Sequence, residues 1–288
     1  MSCCNYLNSG FNRAVSKFRL AVYLWLIILV LALVLTSPLS SLLKNNLGHL
    51  HVPANPLMPL ELNLIEVFLA NQQLLGPYAA FLMVTVFFSA GLFVFLQAGV
   101  FGRMHSQDSR ITFGDFLADG SRYFWKFLLS ILVFLPFLFI LFLFFKLLAS
   151  PLNIWSDRAV TEWPGLIAAN LRMILFILLW TVFKLLLDMV RIIIVTESKK
   201  VIPAYLSALK FLARHFFSLW GLYLLLGLMV VVISGIWLVI GRVFSGSHLP
   251  GLLIILLLGQ AYILFRLLAR QAFIGLEFSY YSAKKEKE

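Results

Sequence analysis

Charge is scarce in this 288-residue chain. Only 12% of its residues are Asp, Glu, Lys or Arg, and cysteine occurs twice. A soluble globular domain is about a quarter charged and about half apolar. Here 62% of residues are hydrophobic and the mean hydropathy is +0.97, which excludes the ordinary soluble class before any motif is read. The two cysteines, Cys3 and Cys4, are adjacent near the N-terminus, which argues against a structural disulfide and a thiolate metal site. Also missing are a His-Glu-x-x-His helix, a Gly-x-Ser-x-Gly elbow, a phosphate-binding loop, paired intramembrane aspartates and a Gly-x-x-x-Gly stripe.

The longest stretch between apolar runs, 44–77, has 34 residues, below the roughly 40 at which domains fold without staples. Any active site would therefore be built from apolar helices and their mouths. Histidine adds little. His49, His51 and His248 fall on one side of the expected membrane, His105 and His215 on the other, with no carboxylate spacing that suits zinc. No enzyme activity, cofactor or metal is expected.

What the chain has in quantity is long apolar runs. About 20 helical residues cross the hydrocarbon core, and six stretches qualify: 20–43, 78–101, 127–148, 168–190, 216–240 and 251–273. Transmembrane barrels need alternating strands of about ten residues; these runs are continuous and rich in Leu and Phe. The fold expected is all-α, a polytopic integral membrane helical bundle forming one transmembrane domain.

Basic residues set the orientation. The N-terminus, the second and fourth connections and the C-terminal flank hold 17 of the 23 Lys and Arg residues. The other side holds five: Lys44, Lys146, Arg158, Arg172 and Arg242. By the positive-inside rule both termini are expected in the cytoplasm. Trp125 and Trp220 then lie at the inner boundary and Trp155, Trp163 and Trp237 toward the outer one, as an aromatic belt requires; Trp180 alone sits near mid-helix. Arg13, Lys17 and Arg19 before the first run resemble a signal sequence, but the run is too long for one, and a retained anchor is expected. The net charge of +11 then reflects topology and contact with anionic inner-leaflet lipid. Nucleic-acid binding would need a basic domain, and none is present.

The two long cytoplasmic connections, 103–126 and 191–214, read as amphipathic. In the second, Ile202, Tyr205, Leu206, Leu209 and Leu212 form the apolar side and Ser207, Lys210 and Arg214 the polar one. In the first, Phe116, Leu117, Tyr123 and Phe124 oppose Asp115, Asp119, Arg122 and Lys126. The acidic start of one is placed to meet the basic end of the other. At an offset of 88, Arg103 aligns with Arg191, Arg122 with Lys210, Lys126 with Arg214 and Ser130 with Ser218, suggesting that two helical hairpins are parallel copies. The outer segment 44–77 contains a stretch, 60–75, with Leu64, Phe68 and Leu75 on one face, which suits a surface helix.

Charge inside an apolar run is costly, about 2.5–3.5 kcal/mol for a mid-membrane Lys or Asp. Lys184, Asp188 and Arg191 form a column on one helix face, and the last run adds Gln260, Arg266 and Arg270. Three readings are open. Lys184 and Asp188 neutralise each other while Arg191 snorkels; Asp188 bonds Arg266 or Arg270 and pins two helices; or the cluster lines a solute site.

Glu197, Ala204, Ser207, Ala208 and then Arg214-His215-Phe216-Phe217, entering a Leu-rich helix, resemble a pattern in bacterial multi-helix membrane families. Among these is the membrane region attached to some glycerophosphodiester phosphodiesterases. The resemblance implies a six-helix bundle in a bacterial inner membrane. It carries over no catalytic residue, because the soluble phosphodiesterase domain has no counterpart here. The function expected is a non-catalytic accessory or structural subunit organising a membrane complex or its lipid, with a possible membrane-protein partner. The alternative is a transporter or channel for a small anionic or amphiphilic solute.

Overall fold

The computed structural model describes residues 3–47, 72–106, 111–157, 162–243 and 249–285. The expected surface helix at 60–75 and His49, His51, Arg158 and His248 fall outside or largely outside these residues. Within them the chain is all-α: α1 Cys3–Ser16, α2 Phe18–Leu47, α3 Gln72–His105, α4 Phe113–Asp157, α5 Glu162–Glu197, α6 Val201–Val243 and α7 Leu249–Lys285. Among the described residues five helices are long and apolar enough to cross a membrane, or six if α1 and the start of α2 count as one bent span.

The helices overrun the apolar stretches that define them. At 1.5 Å per residue the 45 residues of α4 and the 43 of α6 each exceed about 60 Å, twice a hydrocarbon core. The segments 103–126 and 191–214 are therefore not free connections. α3 continues to His105 and α5 to Glu197, while α4 and α6 begin at Phe113 and Val201 and lead into their apolar runs. In α6 the junction is marked: His215 leaves helical geometry (φ −122°, ψ 16°) one residue before the apolar run. Between α5 and α6, Ser198 takes a left-handed conformation (φ 53°) that closes a three-residue turn.

The chain divides into two compact units, 23–94 and the remainder, 1–22 with 95–288. The first contains most of α2 and the start of α3, and its described side chains, among them Leu33, Val34, Met83, Val84 and Phe87, are largely exposed.

In the second unit, buried side chains gather at one end of the helices. They come from the end of α3 (Ala98, Phe101, Met104), the start of α4 (Phe116, Tyr123, Phe127) and the end of α5 (Leu185, Met189, Ile192, Ile193, Ile194). The start of α6 (Ala204, Tyr205, Ala208) and the end of α7 (Ile274, Leu276, Phe278, Tyr280) complete the set. Toward the opposite ends, Phe139, Ile140, Leu147, Met173, Ile174, Met229, Val231, Ile236, Leu256 and Leu257 are exposed, as suits side chains whose solvent is hydrocarbon rather than water.

Glycine permits the close approaches. A Cβ on Gly99 would lie 2.6 Å from the Phe116 ring, on Gly102 2.7 Å from the Asp119 side chain, and on Gly120 2.8 Å from the Phe95 ring. The end of α3 and the start of α4 thus meet almost backbone to backbone, the use of small residues typical of membrane helix contacts.

α1 was not anticipated. It packs antiparallel on α7: Tyr6 meets Tyr280, Ser9 Oγ donates to Ser279 Oγ at 2.7 Å, and a Cβ on Gly10 would lie 2.8 Å from the Leu276 backbone. At its end Lys17 is buried and donates to the carbonyls of Arg103 and Ser106, the latter at 2.6 Å. An ammonium on the last carbonyls of α3 satisfies orphan acceptors and opposes the helix dipole.

The amphipathic faces differ from expectation. Tyr205 and Leu212 are buried, joined by Ala204, Ala208 and Phe211, whereas Ile202, Leu206 and Leu209 are exposed. Phe116 and Tyr123 are buried as expected, and Leu117 is exposed. At the start of α4, Asp115 and Asp119 have a local partner: Arg103 donates through Nε to Asp119 and lies 3.6 Å from Asp115.

Candidate functional site

α5 and α7 run in parallel register, with two polar rungs nine residues apart on one helix and eleven on the other. At the first rung Asp188 accepts two hydrogen bonds from one guanidinium, Arg270 Nη1 to Oδ2 and Nη2 to Oδ1, each at 2.7 Å. Such a fork is the strongest geometry available to a carboxylate. Asp188 is buried at 1% exposure, while the Arg270 side chain that reaches it keeps 25% of its surface exposed. Arg191, one turn further along, lies 3.8 Å from Asp188, donates from Nη1 to Gln97 Oε1 on α3, and sits 5.3 Å over the Phe127 ring of α4. Asp188 and Arg191 therefore connect α5 to α3, α4 and α7.

At the second rung Glu197 closes α5. Lys199 Nζ lies 2.6 Å from Oε2, and Lys285 and Tyr281 of α7 donate to Oε1. Partial burial raises the Glu197 carboxyl, but the hydrogen bonds from Lys199, Lys285 and Tyr281 outweigh it and hold the group near about 2. This group lies past the apolar run of α5, at its mouth.

Of the six residues singled out in the sequence, the fold joins Asp188, Arg191 and Arg270 directly. Lys184, one turn before Asp188, faces the same charges but makes no ion pair or hydrogen bond among the described residues. Arg266 is exposed and lies 5.9 Å over its neighbour Tyr262. Gln260 is ten residues, or about 15 Å of helix, from Arg270 and is half-buried. Of the three readings left open, the geometry agrees with the bond that pins two helices. Asp188 pairs with Arg270 rather than with Lys184, since a guanidinium fork offers two linear bonds where an ammonium offers one. Arg191 does not snorkel; at 4% exposure it is inside the packed end.

The sequence reading missed Gln97, Glu277 and Tyr205. Tyr205 donates to the Ser130 carbonyl at 2.7 Å and stacks on Phe137, tying α6 to α4. Glu277 follows Arg270 by seven residues, two turns along the same face; that spacing was the available signal. Further out, Trp220 Nε1 donates to Thr181 Oγ1 at 3.0 Å and Tyr262 Oη to Ser234 Oγ at 2.8 Å. Among the described residues no three His, Cys, Asp or Glu side chains converge as a metal site.

Fold and site define an all-α chain of membrane-spanning character whose buried charges fasten its helices at one end. No family model, curated protein or solved structure matches it.

Proposed function

We propose that the chain is a six-span membrane protein with both termini in the cytoplasm. In this reading it is a non-catalytic accessory or structural subunit that organises a membrane complex or its surrounding lipid. The observation that carries this reading is the use made of buried charge. Asp188 and Arg270 engage each other across helices, and Arg191 engages Gln97, so these groups fasten the bundle rather than face a passage. The basic flanks support the orientation, and six crossings count α1 with α2 as one span. Exposed Lys200, Lys210 and Arg214 lie beside exposed Ile202, Leu206 and Leu209, a surface that suits an anionic inner leaflet. The bacterial likeness at Glu197 to Phe217 motivates an inner-membrane setting.

The test is native mass spectrometry from mild detergent, beside solute flux in proteoliposomes. A complex of constant stoichiometry, protein or anionic lipid, with no flux is expected. Flux that disappears with Lys184→Met would overturn the reading in favour of the second one, a carrier of small anionic or amphiphilic solutes. Lys184 favours that second reading, because it is a half-buried ammonium in an apolar run with no ion pair among the described residues.

A further inference from the structure

Glu277 has no exposed surface, and neither of its carboxylate oxygens has a hydrogen-bond partner among the described residues. It lies between the two rungs of α5 and α7, four residues beyond the last apolar run. The charged and titratable groups that face it are Lys184, Asp188 and Arg191 from α5, Arg270 from α7 and Tyr223 from α6. The cations among them are directed elsewhere or out of reach. Arg270 gives Nη1 and Nη2 to Asp188, Arg191 gives Nη1 to Gln97 while its Nε reaches no acceptor among the described residues, and Lys184 makes no hydrogen bond to Glu277.

A carboxylate stripped of water and of donors is strongly disfavoured in a packed interior. Three occupants would relieve it. A divalent metal needs several converging side-chain ligands, and no three His, Cys, Asp or Glu side chains converge among the described residues. A monovalent cation would be repelled by Lys184, Arg191 and Arg270. A proton needs neither a ligand shell nor space; the three cations oppose it too, but the loss of water, with Asp188 beside it, outweighs them and raises the Glu277 carboxyl.

We propose that Glu277 is a proton-binding site, and that its proton determines whether Arg270 belongs to Asp188 alone. A proton taken from solution forms an O–H bond on one Glu277 oxygen and leaves the carboxyl neutral, so Asp188 is the one carboxylate on Arg270. Release of that proton to solution places a second anion two turns away on the same face. Glu277 then competes with Asp188 for the guanidinium, and the fastening of α5 to α7 loosens. This goes beyond the accessory reading and does not rest on it: either a scaffold or a carrier can hold such a proton.

Infrared spectroscopy of the purified chain in lipid nanodiscs tests it. At neutral pH a carbonyl stretch of an un-ionised carboxylic acid is expected. It should shift with carbon-13-labelled glutamate, vanish in Glu277→Gln and persist in Glu197→Gln. Raising the pH should bleach the band. Over the same range the distance between spin labels on the inner ends of α5 and α7 should change in the unmutated chain and stay fixed in Glu277→Gln. Thermal stability has a matching sign: the folded chain holds a proton that the unfolded chain gives up, so stability falls as pH rises, and less so in Glu277→Gln. Absence of the acid band at neutral pH, indifference to the label, or survival of the band in Glu277→Gln overturns the proton site. A bleached band with unchanged spin-label distance overturns the coupling to Arg270. Should Glu277→Gln fail to fold, the labelled, unmutated chain still carries the test.

Discussion

Asp188 contributes both oxygens to one guanidinium, and removing it leaves the buried Arg191 and the partly buried Arg270 without their carboxylate. Asp188→Ala is expected to cost about 3–5 kcal/mol, the range for breaking a buried pair from one side. Chemical unfolding or thermal melting in detergent measures it. The double variant Asp188→Ala/Arg270→Ala should be less impaired than the sum of its parts, since it removes both charges. If Asp188→Ala leaves the midpoint unchanged, the fork is not structural. Glu197 lies nearer the solvent than Asp188, at 12% against 1% side-chain exposure, and has a different readout. Its carboxyl is held near about 2 by Lys199, Lys285 and Tyr281, below its ordinary value of 4.5. The contribution is therefore complete above about pH 4.5 and disappears as pH falls toward 2. Glu197→Gln should remove that contribution, lowering stability at neutral pH and flattening the acid limb over that window, and by less than Asp188→Ala because the group lies at the helix mouth, where water screens it.

At this scale the sequence disclosed half of the site. Lys184, Asp188, Arg191 and Arg270 were visible because a charge inside an apolar run has no bland solvent to face. Glu277 was not, since a carboxylate just past an apolar run normally belongs to the interface; only the packing of α7 against α5 and α6 encloses it. Gln97 was hidden because a neutral amide leaves hydropathy nearly unchanged.

Among the elements, the long helices were legible from apolar length and α1 was not. α1 has a mixed sequence, and its docking depends on Gly10 and Gly275 rather than on a hydrophobic stripe. A Cβ on Gly275 would lie 2.9 Å from the Gly10 carbonyl, a backbone atom that cannot turn aside. Gly10→Val or Gly275→Val is expected to release α1 from α7 while leaving the other helices in place. Faster proteolysis or hydrogen exchange across 3–16 would show it, and unchanged protection there would refute the close contact. The proposed hairpin repeat gains a second kind of support. Positions 116 and 204, 120 and 208, and 123 and 211, aligned by the same offset of 88, are buried in pairs. The internal bonds differ, however: Arg103 pairs within its own hairpin, and its counterpart Arg191 reaches Gln97 on α3.

For the molecule as a whole, the proposed orientation predicts which labels a membrane-impermeant thiol reagent can reach. In inverted vesicles, Cys3 and a cysteine placed at Ser282 should react. A cysteine placed at Asn153 should react only in right-side-out vesicles. Reaction of Asn153→Cys from the same side as Cys3 would refute six crossings with basic flanks inward. The all-α class followed from the length and continuity of the apolar runs. The uneven distribution of the core did not, because hydropathy registers an apolar side chain equally whether a helix or an acyl chain covers it.

That unevenness has a mechanical consequence. Within the second unit, α4 to α7 are fastened where polar rungs and glycine contacts coincide; toward the far ends α4 and α5 stay joined through buried Leu141, Ala149 and Ala168 and the Arg172–Asn153 hydrogen bond, whereas α6 meets its neighbours through pairs such as Trp220 with Thr181 and Ser234 with Tyr262. Helices hinged at one end can fan or tilt at the other with little loss of packing. A thin bilayer and a thick one should then be accommodated by the free ends, with the fastened end unchanged in both.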